Sequence, residues 1–182
     1  KKNQYYRILS EFMLQQTQVK TVIPFFNNFV KKIPNLKALS QAKEQTILKL
    51  WEGLGFYRRA KNLHKSSKIL IKKYKGKIPS NFEQLKELPG IGEYTANILL
   101  ALIYNQPRIG IDGNVKRVLF RLFNSEDLDN AILFKTDRNS DLAEALMEFG
   151  ALICRPKEPK CSECHIKKIC SFRTFKDTCL DN

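Results

Sequence analysis

Four cysteines near residue 160 restrict the C-terminal part of this chain to a tight loop around one centre. They are spaced C-x6-C-x2-C-x5-C, at Cys154, Cys161, Cys164 and Cys170. Four thiolates in so short a stretch can hold a [4Fe–4S] cluster or a structural Zn²⁺ ion. Zinc modules usually use two C-x2-C pairs or include histidine. This stretch has one such pair, so the spacing favours iron–sulfur while leaving zinc open.

The charge of the chain indicates the kind of partner. Its 182 residues carry a formal net charge of +14, which favours a polyanion such as nucleic acid, although solubility alone is the other interpretation. No apolar run is long enough to span a bilayer, and the first residues are not a secretory signal peptide. We therefore expect no membrane association and no secretion. A disulfide framework is also disfavoured, and we interpret the fifth cysteine, Cys179, as an incidental thiol.

Helical periodicity runs through most of the chain, and strand signals are nearly absent. Ser40 and Ser80 are predicted helix caps, Ser80 through a capping box with Glu83, and Asp112 is a third. Residues 125–138 are polar and predict a loop or a marginal helix. The sequence thus predicts an all-α fold. Its predicted helices cover residues 5–17, 18–32, 41–52, 57–74, a short helix after 80, 94–104, 115–123 and 139–153.

The turn Leu88-Pro89-Gly90-Ile91-Gly92 separates two predicted helices. Proline stops the first helix and the glycines permit a tight turn, which exposes successive backbone amides at the start of the next helix. Such amides suit a phosphate oxygen. A plain corner between helices is the alternative. Asp112, in Gly110-Ile111-Asp112, follows one helix later and would lie near a backbone bound at the turn.

Together these motifs resemble one known group of enzymes. A helix–hairpin–helix, then Gly-x-Asp, then C-x6-C-x2-C-x5-C resembles the endonuclease III superfamily of DNA glycosylases, from about residue 5 to residue 170. The resemblance implies a helix–hairpin–helix glycosylase fold of two helical lobes with a [4Fe–4S] cluster loop. It implies a six-helix lobe at 1–108, with the hairpin at 88–92. A second lobe at 109–182 would hold the Asp112 helix and the cluster, completed by the N-terminus.

Three stretches narrow the resemblance to the MutY-type adenine DNA glycosylases. Ser10–Thr17 is similar to their SE-x-MLQQT, Gly53–Tyr57 to their GLGYY, and Asp112–Leu119 to their DGNVKRVL. Bifunctional endonuclease III enzymes carry a lysine where this chain has Tyr94, and a phenol cannot form the imine of their reaction. The resemblance therefore implies monofunctional hydrolysis of adenine mispaired with 8-oxoguanine or guanine, by a monomer acting on double-stranded DNA in the cytoplasm at the bacterial nucleoid.

The chemistry of adenine release agrees with this resemblance. Adenine leaves poorly until a ring nitrogen is protonated, so an acid must reach the flipped base. Glu11 lies in an apolar stretch, where burial would raise its pKa and keep a proton available. Asp112 as a carboxylate can stabilise the oxocarbenium-like sugar. The resemblance assigns the same roles, and adds Tyr94 and Asn114 as supports for acid, sugar and water.

The resemblance also implies contacts with DNA. Phe56 stands where the family usually has tyrosine, so a hydroxyl contact at the orphaned base is lost while stacking remains possible. Glu148 matches an acidic position near the family's site. The implied DNA-binding residues are Gln15, Gln16, Thr17, Leu54, Phe56, Tyr57, Arg58, Gly90, Gly92 and Lys116.

Some of the family's pattern has no counterpart here. An LPWR-like segment and a C-terminal Nudix-like domain are expected to be absent, and Leu142-Ala143-Glu144 replaces the usual FNQ. We therefore expect weaker action on 8-oxoguanine mispairs than in an intact enzyme. Two alternatives stay open: an endonuclease III-type pyrimidine glycosylase with lyase activity, and a non-catalytic DNA-binding module with a structural cluster.

Overall fold

A computed structural model describes residues 3–125 and 136–172. Within these ranges the regular structure is helical and no strand occurs, so the predicted all-α fold is confirmed there. Cys179 and most of the predicted 125–138 loop lie outside the described residues. The helices are α1 (Gln4–Leu14), α2 (Val19–Lys32), α3 (Leu36–Gln41), α4 (Glu44–Leu50), α5 (Arg58–Tyr74), α6 (Phe82–Lys86), α7 (Glu93–Tyr104), α8 (Gly113–Phe123) and α9 (Asn139–Leu152), followed by 3-10 turns at Cys161–Glu163 and Lys167–Ile169.

Short polar side chains begin several of these helices. Asn3, Asn35, Asn81 and Asp112 each accept a hydrogen bond from a backbone amide in the first turn that follows. Such a side chain satisfies one of the amides that a helix start leaves without a partner. The predicted cap at Asp112 is therefore confirmed.

The predicted caps at Ser40 and Ser80 are wrong. Ser40 lies inside α3, where its hydroxyl donates to the Lys37 carbonyl at 2.8 Å. Asn81 takes the place predicted for Ser80, because its side chain accepts from the Gln84 amide at 3.1 Å. Serine and asparagine have similar capping strength, so packing decides between adjacent candidates.

Two clusters of buried side chains hold the helices together. The larger cluster is built around α1, whose Ile8, Leu9, Phe12 and Met13 are fully buried, and it draws on helices as far as α7. The smaller cluster joins the second half of α7 to α8 and α9. Because α7 contributes to both, the division of the chain between residues 108 and 109 stays a prediction.

The predicted hairpin joins α6 to α7. Gly90 adopts a φ of 83°, and the Ile91 amide donates to the Leu88 carbonyl at 3.1 Å. The Ser66 hydroxyl donates to the Pro89 carbonyl at 2.8 Å, which fixes the turn on α5. The hairpin also lies beside the end of α1, because Gln15 Nε2 donates to the Gly90 carbonyl at 3.2 Å.

Replacing Gly90 with alanine is expected to destabilise the protein by about 2–4 kcal/mol. A Cβ there would lie 2.7 Å from Phe12 Cε1 and 2.8 Å from Asn62 Cβ, on a left-handed backbone. Gly92→Ala is the matched control, since a Cβ at that position meets no atom within 4 Å and its φ is −88°. Urea unfolding followed by circular dichroism measures both. Equal midpoints for the two variants would contradict the prediction.

Within the described residues, no helix is long and apolar enough to cross a membrane.

Candidate active site

An open cleft with a volume of about 800 Å³ lies where α1, the α4–α5 loop, the hairpin and the start of α8 meet. Nine residues predicted from the sequence line it, although they are far apart along the chain. They are Glu11, Gln15, Gln16, Phe56, Arg58, Gly90, Gly92, Tyr94 and Asp112. Four further lining residues were not predicted: Leu14, Arg59, Asn62 and Thr95.

Glu11 is the buried carboxyl of the cleft. Only 9% of the residue is exposed, and its helix neighbours Phe12 and Met13 are fully buried. Burial raises the pKa of Glu11 to about 7, because a carboxylate is poorly solvated there. The nearby charge of Arg7 lowers this pKa and that of Glu144 raises it. Glu11 can therefore hold a proton near neutral pH.

An ion pair beside Glu11 connects α1 with α9. Arg7 Nη1 lies 2.7 Å from Glu144 Oε1, and both side chains are partly exposed. The two charges act on Glu11 in opposite directions, so they partly offset each other. The proximity of Arg7 to Glu11 could be predicted from the sequence, since Arg7 lies one helical turn before Glu11. The partner on α9 could not be found from spacing.

Asp112 is held at the start of α8. Its Oδ1 accepts from the Val115 amide at 2.7 Å, and its Oδ2 accepts from Asn114 Nδ2 at 3.3 Å. Arg117 Nη2 donates to Asn114 Oδ1 at 2.9 Å, which fixes the amide of Asn114. The carboxylate is thus oriented by the helix that it caps.

Tyr94 lies in the first turn of α7. Its hydroxyl donates to Met147 Sδ at 3.6 Å, and its ring packs against Gly110, where a Cβ would approach it to 2.7 Å. Burial raises the pKa of the Tyr94 phenol, and the negative charges of Glu11 and Asp112 raise it further. The phenol therefore stays neutral and interacts electrostatically with both carboxyl groups.

Two exposed loops border the cleft. Gln15 leaves the helical conformation with a ψ of 112°, so α1 ends at Leu14 instead of the predicted Thr17, and Gln16 follows with a φ of 57°. Phe56, in the α4–α5 loop, has a φ of 48° and is 59% exposed. These side chains project from the protein on backbone conformations that residues other than glycine rarely adopt.

The other predicted residues lie elsewhere. Leu54 is buried in the larger cluster with 5% exposed, so a contact between its side chain and DNA would require the loop to open. Asn114 does not line the cleft, but its side chain donates a hydrogen bond to Asp112, which does. The remaining predicted residues are outside the cleft lining: Thr17, Tyr57, Lys116 and Glu148.

The four predicted cysteine ligands face one another across a small, apolar cavity of about 30 Å³. All four are free thiols. Arg121 Nη1 lies 3.5 Å from Cys154 Sγ, and Arg117 Nε donates to the Cys154 carbonyl at 2.9 Å. In residues 3–125 and 136–172, no set of three or more His, Cys, Asp or Glu side chains is arranged to hold a metal ion. The four cysteines therefore line one cavity, but their sulfur atoms are not placed as the ligands of a metal ion.

Comparison with known proteins gives consistent results. A family model described as "HhH-GPD superfamily base excision DNA repair protein" matches residues 9–142, a stretch that ends before the cysteine loop. An adenine DNA glycosylase from Buchnera aphidicola subsp. Baizongia pistaciae is 42% identical over 197 residues, which cover 100% of this chain and 56% of that protein. The adenine DNA glycosylase of Homo sapiens is 34% identical, covering 91% of this chain and 33% of that protein.

Solved structures share the fold. A thermostable thymine-DNA glycosylase superposes with a TM-score of 0.83 at 26% identity, covering 96% of this chain and 86% of that one. A non-covalent endonuclease III–DNA complex gives a TM-score of 0.81 at 22% identity, covering 98% and 87%, and shows the fold alone. The chain spans about half the length of three curated Buchnera aphidicola relatives that it matches.

Proposed function

Because the chain belongs to the HhH-GPD superfamily of base excision DNA repair proteins, we propose that it hydrolyses the N-glycosidic bond of adenine mispaired with 8-oxoguanine or guanine in double-stranded DNA. The observation that carries the proposal is the cleft that Glu11 and Asp112 line together with Tyr94. The relatives named adenine DNA glycosylase in Buchnera and Homo sapiens support the choice of base.

In this proposal Glu11 is the general acid. An extruded adenine would enter the cleft, and the Glu11 carboxyl would give its proton to a ring nitrogen of the base as the glycosidic bond breaks. The burial that raises the pKa of Glu11 to about 7 keeps the proton available near neutral pH. A carboxyl in water would have lost its proton under the same conditions.

Asp112 would stabilise the sugar once the base departs. The sugar then carries positive charge, and a fixed carboxylate lowers the energy of the transition state that leads to it. Water is the nucleophile, since the Tyr94 phenol cannot form an imine. Asn114 would orient Asp112 through the hydrogen bond between their side chains.

The loops around the cleft would enter the duplex. Gln16 and Phe56 would fill the space that the extruded base leaves, with the Phe56 ring stacked on a neighbouring base. Glu148 is proposed as a further acid near the site. The other proposed DNA contacts are Gln15, Thr17, Leu54, Tyr57, Arg58, Lys116 and the amides of Gly90 and Gly92. The formal net charge of +14 favours such a partner.

We also propose that Cys154, Cys161, Cys164 and Cys170 hold a [4Fe–4S] cluster. Their chemistry suits such a group, because thiolates are the ligands of iron–sulfur clusters and all four thiols line one cavity with apolar walls. When bound, the cluster would fix the loop that carries the exposed Lys157 and Lys168. The residues of the cleft would carry out the excision.

A single-turnover assay tests the function. Duplexes with A:8-oxoguanine and A:G should release adenine, whereas A:T and thymine glycol duplexes should release no base. Borohydride should trap no protein–DNA adduct. Trapping together with release from thymine glycol DNA would replace the proposal with a pyrimidine glycosylase and lyase. Binding without any release would indicate a non-catalytic DNA-binding module.

The pH dependence of adenine release should respond to the Arg7–Glu144 pair. Release should fall as the pH rises through about 7, because Glu11 then loses its proton. Glu144→Gln removes a negative charge that raises the pKa of Glu11, so the fall should occur at a pH lower by roughly half a unit. Arg7→Gln should move it the opposite way. Rates measured across pH under single-turnover conditions check the shift.

Asp141→Asn is the matched control for Glu144→Gln. Asp141 also lies on α9 and also pairs with an arginine, at 2.9 Å from Arg138, but the charges that shift the pKa of Glu11 are those of Arg7 and Glu144. Its pH profile should follow that of the unmodified chain. Identical profiles for all the variants would show that the pair does not tune Glu11.

A further inference from the structure

Arg59 is a buried arginine that connects two separate segments of the cleft. It lies in the first turn of α5 with 7% exposed. Its guanidinium makes five hydrogen bonds within the described residues, and all go to backbone carbonyls, three at the end of α1 and two in the α4–α5 loop. One rigid, planar guanidinium therefore fixes both segments relative to each other.

At the end of α1, Arg59 binds the carbonyls that the backbone leaves free. The Glu11 and Leu14 carbonyls already accept from the amides of Gln15 and Thr17. Arg59 Nη1 donates to the carbonyls of Phe12 at 3.2 Å, Met13 at 2.7 Å and Gln15. The last carbonyls of a helix need such partners, and a cation suits their negative end.

In the α4–α5 loop, Arg59 Nη2 donates to the carbonyls of Leu54 and Gly55, both at 3.3 Å. The Gly55 carbonyl also accepts from Trp51 Nε1 at 3.1 Å. The guanidinium also packs on two rings, with its carbon 5.6 Å from the Trp51 centroid and 5.3 Å from that of Phe56. These contacts leave it little freedom to move.

Each of the two segments contains a residue in the left-handed region. Gln16 has a φ of 57° and Phe56 a φ of 48°. The carbonyl immediately before each of them, of Gln15 and of Gly55, is one that Arg59 binds. An unfavourable backbone conformation persists only where surrounding contacts determine it, and here a single side chain supplies a contact at both places.

We propose that Arg59 is a positioning residue that holds Gln16 and Phe56 together in the conformation in which they displace a base from the duplex. The proposal rests on the function proposed above, since it assumes that these two side chains enter DNA. Arg59 acts through them and is not itself a catalytic residue. Without its guanidinium, both loops would relax toward ordinary backbone conformations, and base extrusion would weaken.

The test uses a duplex in which the fluorescent base 2-aminopurine stands opposite 8-oxoguanine, because its fluorescence rises when it leaves the stack. Arg59→Lys keeps the charge and loses the planar fork, and it should lower the extruded fraction of bound DNA by about tenfold. The matched control is Arg108→Lys. Like Arg59, Arg108 lies over an aromatic ring, but it donates to the Asn97 side chain at 3.1 Å and is not part of the cleft lining.

A second background shows whether Arg59 acts through the two loops. When Gln16 and Phe56 are both alanine, Arg59→Lys should change extrusion by less than about twofold, because the side chains that it positions are gone. A tenfold loss in both backgrounds, no loss in either, or an equal loss in Arg108→Lys would overturn the proposal.

Hydrogen exchange in the unmodified chain gives a test that needs neither DNA nor a stable variant. The Thr17 amide and the Trp51 indole N–H are bonded on opposite sides of Arg59. If one guanidinium holds both segments, these protons should exchange with the same opening equilibrium constant. Constants that differ by more than about tenfold would overturn the proposal. Equal constants in a chain that extrudes no base would instead count against the proposed function.

Discussion

Glu11→Gln should reduce adenine release by about 10²–10⁴-fold while binding to A:8-oxoguanine DNA survives. The amide has nearly the same shape as the carboxyl, so the buried surroundings of Glu11 can accept it. It cannot supply an acidic proton to the departing base. Single-turnover release measures the loss, and a gel-shift titration with the same duplex measures binding.

Glu83→Gln is the control for this variant, since Glu83 is exposed at the start of α6 and has no part in the cleft. Its rate should equal that of the unmodified chain. The residual release by Glu11→Gln should also lose its fall near pH 7, because the titrating group is gone. Near-normal release by Glu11→Gln would rule out the proposed mechanism.

Helix positions could be predicted from the sequence because they depend on local signals. The apolar spacing after the cap at Asp112 correctly predicts α8. The end of α7 at Tyr104 is also predicted correctly, and Asn105 follows it in the left-handed conformation. The helix cap predicted at Ser40 is wrong because Asn35, which caps α3, and Ser40 are equally good helix starts on local grounds. Both α3 and α4 pack against α5, and such tertiary contacts are not visible in the local sequence.

The site was predictable only in part. The resemblance identified Glu11 and Asp112 as candidate catalytic residues. That they line the same cleft depends on the tertiary fold and could not be predicted from their spacing in the sequence. The structural role of Arg59 could not be predicted, because in the sequence it is one of many basic residues on α5. Its partners are backbone carbonyls of α1, and a sequence pattern carries no sign of such partners.

Burial separates the two arginines that follow Tyr57. Arg58 is exposed at the edge of the cleft, whereas Arg59 is buried beneath it. In an isolated helix the two would be interchangeable. The helical rotation from one residue to the next sends one side chain toward solvent and the other toward the end of α1. The same dipeptide thus supplies a candidate phosphate contact and a support for the loops.

Asp112→Asn should lower adenine release by about 10²–10³-fold with little effect on folding. Asparagine caps helices as well as aspartate does, so its side-chain oxygen can still accept from the Val115 amide, as Oδ1 does at 2.7 Å. The substitution therefore removes the negative charge and keeps the start of α8. Without that charge, the positive sugar loses its stabilising partner.

Asp112→Ala separates the charge from the cap. It removes both, so it should cost about 1 kcal/mol of stability in addition to the loss of activity. Urea midpoints should then rank the unmodified chain and Asp112→Asn together, with Asp112→Ala below them, while both variants release adenine equally slowly. If release followed stability instead, so that Asp112→Asn stayed active, Asp112 would act only as a helix cap and some other group would have to stabilise the sugar.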